Sequence, residues 1–489
     1  MAHLLLRNAR VLDPGRGVDA VLDVSIVDGK IAALQRELPV APGTEVLDLS
    51  GLVVSPGWFD AHLHLYGGLG MRSADCVGVS AGVTAVLDAG GSGPLTFREF
   101  DALVPEEQHT DVYCYVMMLP YGLHFSNGQR GNIQELTALP LADFVELAAA
   151  RRDRIVGFKA LGFGDFGPGP IQVAKGVAQT AGLPLYLHIG DFMVPPRQVT
   201  TPFLFDLLEP GDIATHCFTS SFGGYLDADG RVYPQALDAA RRGVYIDVAM
   251  GSFNFAFDVA EKGLAQGLVP DLLTSDIQNN NVTGPTYSLA NVMSIFLALG
   301  FSLPEVIQRV TANPARALGL ADRLGSLEPG RAADVTVFAV DEGDWTFADC
   351  EGQTRRGSQR LRPVLTFKNG RRFECDPEVA QQEENWRLKP ALDGVPSVAS
   401  TFDAAQRAYL GRLRQRLDDA AWEGPVLTDL CHEVRQDVGL PLRDALRAVC
   451  WSLLDPPFSV QAGWLIKRFE REFVLRRLEA VATAEATRA

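Results

Sequence analysis

The chain has 489 residues, of which 47% are hydrophobic and 21% are charged, a composition typical of globular proteins. Its formal net charge is -16, and since positions 398–489 hold 13 basic and 13 acidic residues, the excess negative charge belongs to residues 1–397. Such an acidic region repels phosphate backbones, which argues against broad nucleic-acid binding by it. No apolar stretch reaches the roughly 18–20 residues of a membrane span, and the seven cysteines include no CxxC pair. We therefore expect a cytoplasmic protein without disulfides or a membrane partner.

Residues 4–53 alternate between apolar and polar side chains, and Asp28-Gly29 is a strong hairpin signal. This pattern predicts short strands without a helical period.

From residue 58 onward, short apolar runs alternate with stretches of helical period. The eight runs are 58–65, 83–90, 111–119, 155–163, 183–191, 212–218, 244–250 and 271–278. Near-continuous apolar runs between helices are typical of parallel strands that are buried on both faces. Eight such units within residues 58–319 predict an α/β fold with a (β/α)8 TIM barrel.

The strand pattern returns after the barrel, with Pro-Gly and Asn-Gly turns. We expect residues 1–57 and 320–375 to form one small composite β-sandwich domain. Residues 376–400 are polar and contain prolines, which indicates a linker. Residues 401–489 have strongly helical patterns and predict an all-α domain.

Six residues with metal-ligand or basic side chains lie at or near the carboxyl ends of predicted barrel strands. They are His62, His64, Lys159, His188, His216 and Asp276. The carboxyl ends of barrel strands meet at one rim, where active sites are built. Imidazole and carboxylate groups suit Zn²⁺, with Mn²⁺ or Co²⁺ as alternatives.

The lysine in this set needs a separate explanation. Divalent cations would repel the ammonium group of Lys159, and burial would lower its pKa. Carboxylation by CO2 would instead make it an anion that can bridge two metal ions. Each residue taken alone has a structural alternative, such as a satisfied core histidine or a snorkelling lysine. Six of them in barrel order favour a metal site.

Several segments match a known pattern: VVSPGWFDAHLHLYGG, GVTAVLDAGG, VGFKALGF, GLPLYLHIGD, GDIATHCFTSSFGGYLDADGRVYP, TSDIQNNNVTGPTYSL and GSLEPGRAADVTVF. Through them the chain resembles the amidohydrolase superfamily, in particular the deacetylases near the dihydroorotases and D-aminoacylases. The resemblance covers residues 4–372. It implies a metal-bearing (β/α)8 barrel flanked by a small β domain built from both ends of this region.

The resemblance also implies roles for the six residues. His62, His64 and Asp276 would hold one zinc ion. His188 and His216 would hold a second one, and carboxylated Lys159 would bridge the two. A bridging hydroxide would attack a non-peptide amide and release a small acyl group such as acetate, while Asp276 would pass the proton to the leaving nitrogen.

Three further residues are candidates for substrate contact. Tyr66 follows the HxH strand and could donate a hydrogen bond to substrate, or be a buried aromatic. Asn254 lies in the loop DVAMGSFNFAF, whose side chains indicate an apolar pocket mouth. Asn279 lies in the amide-rich loop QNNNVTGP, which could orient a polar substrate or form a solvated turn.

The C-terminal region resembles a different family. Residues 401–480, with the segment LRDALRAVCWSLLDPPFSVQAGWLIKRFEREFVLRRLEAV, are similar to the helical anticodon-binding region of class I lysyl-tRNA synthetases. In such a domain a basic face would contact tRNA, but here the basic residues are balanced by acidic ones. The alternative is a helical bundle that serves assembly or stability. The chain has none of the catalytic signatures of the synthetase.

Three functions stay open at this point. The first is a binuclear metal amidohydrolase, a deacetylase acting on an N-acyl small molecule. The second is a tRNA-associated hydrolase or scaffold acting on a tRNA-linked acyl group, and the third is a cyclic-amide hydrolase of dihydroorotase or hydantoinase type. The intact ligand set favours the first, since a scaffold has no need of it, and the loop GGYLDADGRVYP argues against the third. We also expect a homo-oligomer.

Overall fold

The computed structural model describes residues 3–69, 73–102, 108–120, 122–123, 140–162, 167–190, 199–376, 400–422, 424–453, 462–467 and 469–484. No helix within these ranges is long and apolar enough to cross a membrane. All seven cysteines lie in the described ranges, and none of them forms a disulfide there.

The strands fall into three groups along the chain. The first five are β1 (His3–Asp13), β2 (Val18–Val27), β3 (Lys30–Gln35), β4 (Glu45–Asp48) and β5 (Val53–Pro56). The next seven are β6 (Trp58–Leu63), β7 (Val83–Ala89), β8 (Asp111–Met117), β9 (Ile155–Leu161), β10 (Leu185–His188), β11 (Ile213–Thr215) and β12 (Tyr245–Ile246). The last three are β13 (Val335–Ala348), β14 (Thr354–Lys368) and β15 (Arg371–Glu374).

The helices fall into two groups. Those up to residue 317 are α1 (Phe97–Ala102), α2 (Leu141–Ala150), α3 (Gly169–Ala181), α4 (Thr201–Leu207), α5 (Pro234–Arg242), α6 (Phe257–Ala265), α7 (Leu289–Ala298), α8 (Leu303–Arg309) and α9 (Ala312–Ala317). Those near the C-terminus are α10 (Ala404–Leu417), α11 (Gly424–Val438), α12 (Leu442–Leu453), α13 (Ala462–Lys467) and α14 (Arg471–Thr483).

Strands from both flanks join in one composite sheet. Its order is β15-β14-β13-β5-β1-β2-β3, with β4 paired to β1. Antiparallel pairing of β13 with β5 connects the two flanks. Apolar side chains from both flanks share one buried cluster, which includes Leu6, Ile26, Val337 and Phe367. The two predicted halves are therefore linked by hydrogen bonds, whereas their packing as a two-layer sandwich stays a prediction.

Strands β6 to β12 form a parallel sheet in which each strand pairs with the next one along the chain. A helix follows each strand from β7 to β12. Every residue of β6, β7, β9 and β10 is buried, as expected for parallel strands covered on both faces. The α/β organisation predicted from the apolar runs is therefore confirmed.

The eighth apolar run lies against both edges of the parallel sheet through residues 272–277, called here the eighth segment. Leu272 forms a parallel bridge with Asp247 beyond β12, and Ile277 forms one with Leu63 of β6. The backbone of Asp276 has a φ of 51°, outside the β region, so the segment is not a regular strand. The amino end of the segment thus lies beside the carboxyl end of β12, and its carboxyl end lies beside the carboxyl end of β6.

Helices α10 to α14 occupy the described part of the C-terminal region. A capping box opens α10, in which the side chains of Asp403 and Gln406 each accept a hydrogen bond from the other residue's backbone N–H. The helical pattern is therefore confirmed, and the independence of these helices as a domain stays a prediction. The predicted linker lies outside the described residues, apart from its two ends.

A buried ion-pair cluster connects the composite sheet with the parallel sheet. Lys368 of β14 places Nζ 2.8 Å from Oδ2 of Asp111 in β8 and 2.5 Å from Oδ2 of Asp334. Burial acts to lower the pKa of Lys368, but the attraction of these two carboxylates raises it overall. The cation is thus held between the two sheets by acidic partners from each side.

Lys368→Met should lower the free energy of unfolding by about 3 kcal/mol, because it leaves a buried carboxylate without its cation. The midpoint of urea denaturation measures this loss. Arg10→Met is the control, since it breaks the exposed pair of Arg10 with Asp19 and should cost less than about 1 kcal/mol. Equal losses in the two variants would contradict a special role for the buried cluster.

Candidate metal centre

The parallel sheet and the eighth segment bring all six predicted ligands to one cavity. They are His62, His64, Lys159, His188, His216 and Asp276. All six side chains are buried. The remaining described residues around this cavity are Leu123, Leu161, Ser252, Phe253, Asn254 and Gln278. The common rim expected from the strand ends is therefore present in the structure.

Asp276 lies at the centre of the cluster. Its Oδ1 atom is 3.1 Å from Nε2 of His64 and 3.6 Å from Nε2 of His62. The Nζ atom of Lys159 is 3.5 Å from the same Nε2 of His62. His62, His216 and Asp276 each offer one ligand atom, and these atoms all lie within 4.8 Å of one another. A single small cation could therefore contact side chains from the ends of β6 and β11 and from the eighth segment.

The protonation states in the cluster fit a divalent cation. Burial lowers the pKa of His62 and of His216 well below the ordinary value, and it lowers the pKa of His188 to about 3. These imidazoles are neutral at pH 7 and have a lone pair to offer. Within the described part of the chain, the buried Oδ1 atom of Asp276 accepts no hydrogen bond. Neutral imidazoles beside a carboxylate are the preferred ligands of zinc, so the residues present fit such an ion.

Two of these residues have a strained backbone. His216 has a φ of 65° and Asp276 a φ of 51°, in the left-handed region that favours glycine. Such a conformation costs on the order of 1–3 kcal/mol for each residue and persists where the surroundings impose it, commonly at functional sites. His216 is also held by a 3.0 Å contact between its Nδ1 atom and the carbonyl oxygen of Ala249. With the proton on Nδ1, the lone pair of Nε2 is free to act as a ligand.

Lys159 is buried in β9, and its Nζ atom lies 4.1 Å from the centroid of the Tyr186 ring. Burial lowers the pKa of Lys159 to about 7, although Asp276 and Asp247 act in the opposite direction. A large fraction of this amine is therefore uncharged at neutral pH. The uncharged amine is the form that reacts with CO2.

Beside His62 lies a hydrogen-bond network centred on Asp247. The Oδ2 atom of this carboxylate accepts hydrogen bonds from the hydroxyls of Tyr186 and Thr215, the latter at 2.7 Å. Its Oδ1 atom accepts one from Thr274 at 2.6 Å. Burial raises the pKa of Asp247 to about 6, and these hydrogen bonds limit the rise. The sequence analysis missed this network, and its one signal was a carboxylate inside the apolar run VYIDVAM.

Comparison with known proteins identifies the family. Residues 256–372 match the model of the amidohydrolase family. A deacetylase of Agrobacterium fabrum is 30% identical over 371 residues, which cover 74% of this chain and 89% of the relative. A deacetylase of Enterococcus faecalis is 30% identical over 76% of this chain and 99% of its own length. The chain belongs to the amidohydrolase family.

The structural comparison agrees with this assignment. The crystal structure of an adenine deaminase superposes on the amidohydrolase chain with a TM-score of 0.69 and 30% sequence identity, covering 76% of this chain and all of the other. The protein is therefore a hydrolase that acts on C–N bonds. The sequence-based assignment of residues 4–372 to this superfamily is confirmed.

Of the three residues predicted to contact substrate in the amidohydrolase, some line the cavity and others do not. Asn254 lines the cavity, and its Nδ2 atom is 3.3 Å from Oδ2 of Asp276. Tyr66 is fully buried with its ring against Phe100, and the backbone N–H of Asn279 donates to the carbonyl oxygen of Gly68. Neither Tyr66 nor Asn279 is among the described residues that line the cavity. The structure thus favours the buried-aromatic alternative for Tyr66.

The amide-rich loop of the amidohydrolase has a role that its sequence did not indicate. Asn281 is fully buried, and its Nδ2 atom donates to the carbonyl oxygen of Asp276 at 2.9 Å. Its Oδ1 atom accepts from the backbone N–H of Gln278 at 2.8 Å. This side chain therefore holds the backbone of the loop behind Asp276, where a substrate contact or a solvated turn was expected.

Asn281→Ala should lower the free energy of unfolding by about 1–3 kcal/mol, since it leaves the buried carbonyl group of Asp276 and the half-buried N–H of Gln278 without their side-chain partner. Thermal and urea denaturation measure the effect. Asn280 is exposed next to it, so Asn280→Ala is a matched control that should stay within about 0.5 kcal/mol of the original protein. A loss in Asn281→Ala no greater than in this control would refute the role given to Asn281.

Proposed function

We propose that this amidohydrolase is a metal-dependent deacetylase that removes an acetyl or another small acyl group from the nitrogen of a small molecule. The observation that carries the proposal is the convergence of four histidines, one lysine and one aspartate on a single buried cavity. The deacetylases among its relatives support the choice of an acyl group as the part released.

The ligand set supports two cations rather than one, with zinc as the preferred metal. His62, His64 and Asp276 would hold the first cation. His188 and His216, whose ring centroids lie 4.3 Å apart, would hold the second. Lys159, carboxylated by CO2, would link the two. Cations bound in such a site act as Lewis acids and make water nucleophilic at neutral pH.

Asp276 is the residue best placed to move a proton. Its carboxylate faces the histidine cluster through Oδ1 and meets the amide of Asn254 through Oδ2. A carboxylate in this position can take a proton from the attacking water and deliver it to the leaving nitrogen. Asn254 would keep the carboxylate in one orientation during this transfer.

We also propose how the two sheets and the C-terminal helices are arranged, because the pairing of strands does not determine this arrangement. The parallel sheet would close as a (β/α)8 barrel, with the eighth segment as its last member, because this segment bridges both edges of the sheet. The composite sheet would pack as a small sandwich domain. Helices α10 to α14 would form a separate all-α domain.

Assembly is the role we propose for the C-terminal helices, and contact with tRNA is the alternative. Arg414 pairs with Asp418 at 2.6 Å and with Glu479 at 2.9 Å. Arg416 pairs with Glu433 at 2.8 Å. Guanidinium groups that are neutralised in this way are poor partners for phosphates, which favours a homo-oligomer over a tRNA complex.

Metal analysis of the purified protein should find about two zinc-type ions per chain, as in other two-metal hydrolases.

Asp276→Asn should reduce the rate of hydrolysis by a factor of about 100 or more, because it removes the general base. The folded state should persist, as judged by circular dichroism.

Asp229→Asn is the control for this substitution, since Asp229 is exposed and lies away from the cavity. It should keep full activity and full metal content. A protein without bound metal, or an Asp276→Asn variant as active as this control, would overturn the proposal.

A substrate panel tests the choice of acyl group. N-acetyl amino acids and N-acetyl amines should release acetate, detected by proton NMR, and dihydroorotate and adenine should be poorer substrates by a factor of at least about 100. Preferential opening of dihydroorotate would favour the cyclic-amide alternative, and ammonia release from adenine would favour a deaminase. Either result would refute the deacetylase proposal while leaving the metal centre intact.

A further inference from the structure

The imidazole of His62 has a different partner at each of its two nitrogen atoms. Its Nε2 atom faces Lys159 and Asp276 in the cavity. Its Nδ1 atom lies on the opposite side of the ring, 2.5 Å from the hydroxyl oxygen of Tyr186. The next nearest groups to Nδ1 are Thr215 at 3.4 Å and Asp247 at 3.5 Å. Tyr186 is therefore the principal partner of the nitrogen that points away from the cavity.

The hydrogen bonds around Tyr186 indicate which side chain, Tyr186 or His62, donates the proton in the contact between them. A phenol hydroxyl has one proton to donate, and that of Tyr186 goes to Oδ2 of Asp247. The carboxylate has no proton to give back and also accepts from Thr215 and Thr274. The Tyr186 oxygen can then only accept from His62. This requires the proton of the imidazole on Nδ1 and the lone pair on Nε2.

The phenol ring itself is held firmly in place. Tyr186 is fully buried, and its ring centroid lies 4.7 Å from that of Tyr115. The Nζ atom of Lys159 lies 4.1 Å from the centroid of the Tyr186 ring. With the hydroxyl anchored on Asp247 and the ring packed in this way, Tyr186 presents its oxygen to His62 from a fixed position.

We propose that Tyr186, anchored by Asp247, is a positioning residue that fixes the tautomer and the ring orientation of His62, so that Nε2 is presented to a cation in the cavity. The inference rests on the proposed metal centre and goes beyond it, because it assigns a role to a residue that does not touch the metal. Groups that orient a ligand histidine from behind commonly change metal affinity when they are altered.

Tyr186→Phe tests this role because it removes the hydroxyl and keeps the ring. Zinc affinity, measured by competition with a chromogenic chelator, should fall about 10- to 100-fold at one site or more. Tyr115→Phe is a matched control. Tyr115 is equally buried and stacks on Tyr186, but its hydroxyl has no hydrogen-bond partner among the described residues. This control should bind zinc like the original protein.

A second measurement is made on the original protein and does not depend on whether Tyr186→Phe folds. In metal-free protein labelled with ¹⁵N-histidine, the ring signals of His62 are identified as those absent from the spectrum of His62→Gln. They should report a proton on Nδ1 and none on Nε2. A proton on Nε2 would overturn the inference even if Tyr186→Phe failed to fold.

The outcomes separate this inference from the proposal on which it rests. If the original protein binds zinc and Tyr186→Phe binds it as tightly as Tyr115→Phe does, the positioning role is wrong and the metal centre stands. If the original protein binds no zinc, the metal centre fails and the positioning role fails with it. Selective loss of affinity in Tyr186→Phe, with equal melting temperatures of the two metal-free variants, supports the inference.

Discussion

The site depends on hydrogen bonds between the carboxyl end of β6 and the eighth segment. The backbone N–H of Asp276 donates to the carbonyl oxygen of His62 at 2.7 Å, and the N–H of His64 donates to the carbonyl oxygen of Ile277 at 3.1 Å. These bonds join segments more than 200 residues apart in sequence. They place one carboxylate against two imidazoles, so the candidate metal centre depends on them.

Around this contact, side chains that burial keeps neutral lie beside negatively charged carboxylates in one buried cluster. Burial lowers the pKa of His62, His188, His216 and Lys159 and so favours their neutral forms, whereas Asp276 and Asp247 supply negative charge beside Lys159. The hydroxyls of Thr215 and Thr274 satisfy the inner carboxylate, Asp247. The outer carboxylate, Asp276, keeps one oxygen without a hydrogen bond within the described residues. This difference between the two carboxylates fits the proposed function, in which Asp247 supports the site and Asp276 takes part in the reaction.

Much of the fold and the convergence of the six candidate ligands on one cavity could be predicted from the sequence, because both depend on the period of the apolar pattern and on position at the strand ends. Apolar runs between helices predicted the parallel strands, and residues at the ends of such runs must meet at one rim. This reasoning could not predict the contacts of Tyr66, Asn281 and Tyr186. Whether an aromatic ring or an amide faces a cavity or the core is decided by local backbone geometry and by partners distant in sequence. Asn281 holds Asp276 through a turn, and Tyr186 of β10 contacts His62 of β6. No short-range pattern in the sequence encodes these contacts.

The left-handed backbone at His216 and Asp276 has an evolutionary consequence. Glycine would relax both positions, so on the proposed metal centre a chain freed from selection for activity would gain stability there by losing two of its ligands. On the same proposal, a histidine and an aspartate at these two sterically unfavourable positions lower the stability of the chain in return for metal binding. In a descendant that had become a mere scaffold, these two positions would be among the first to change.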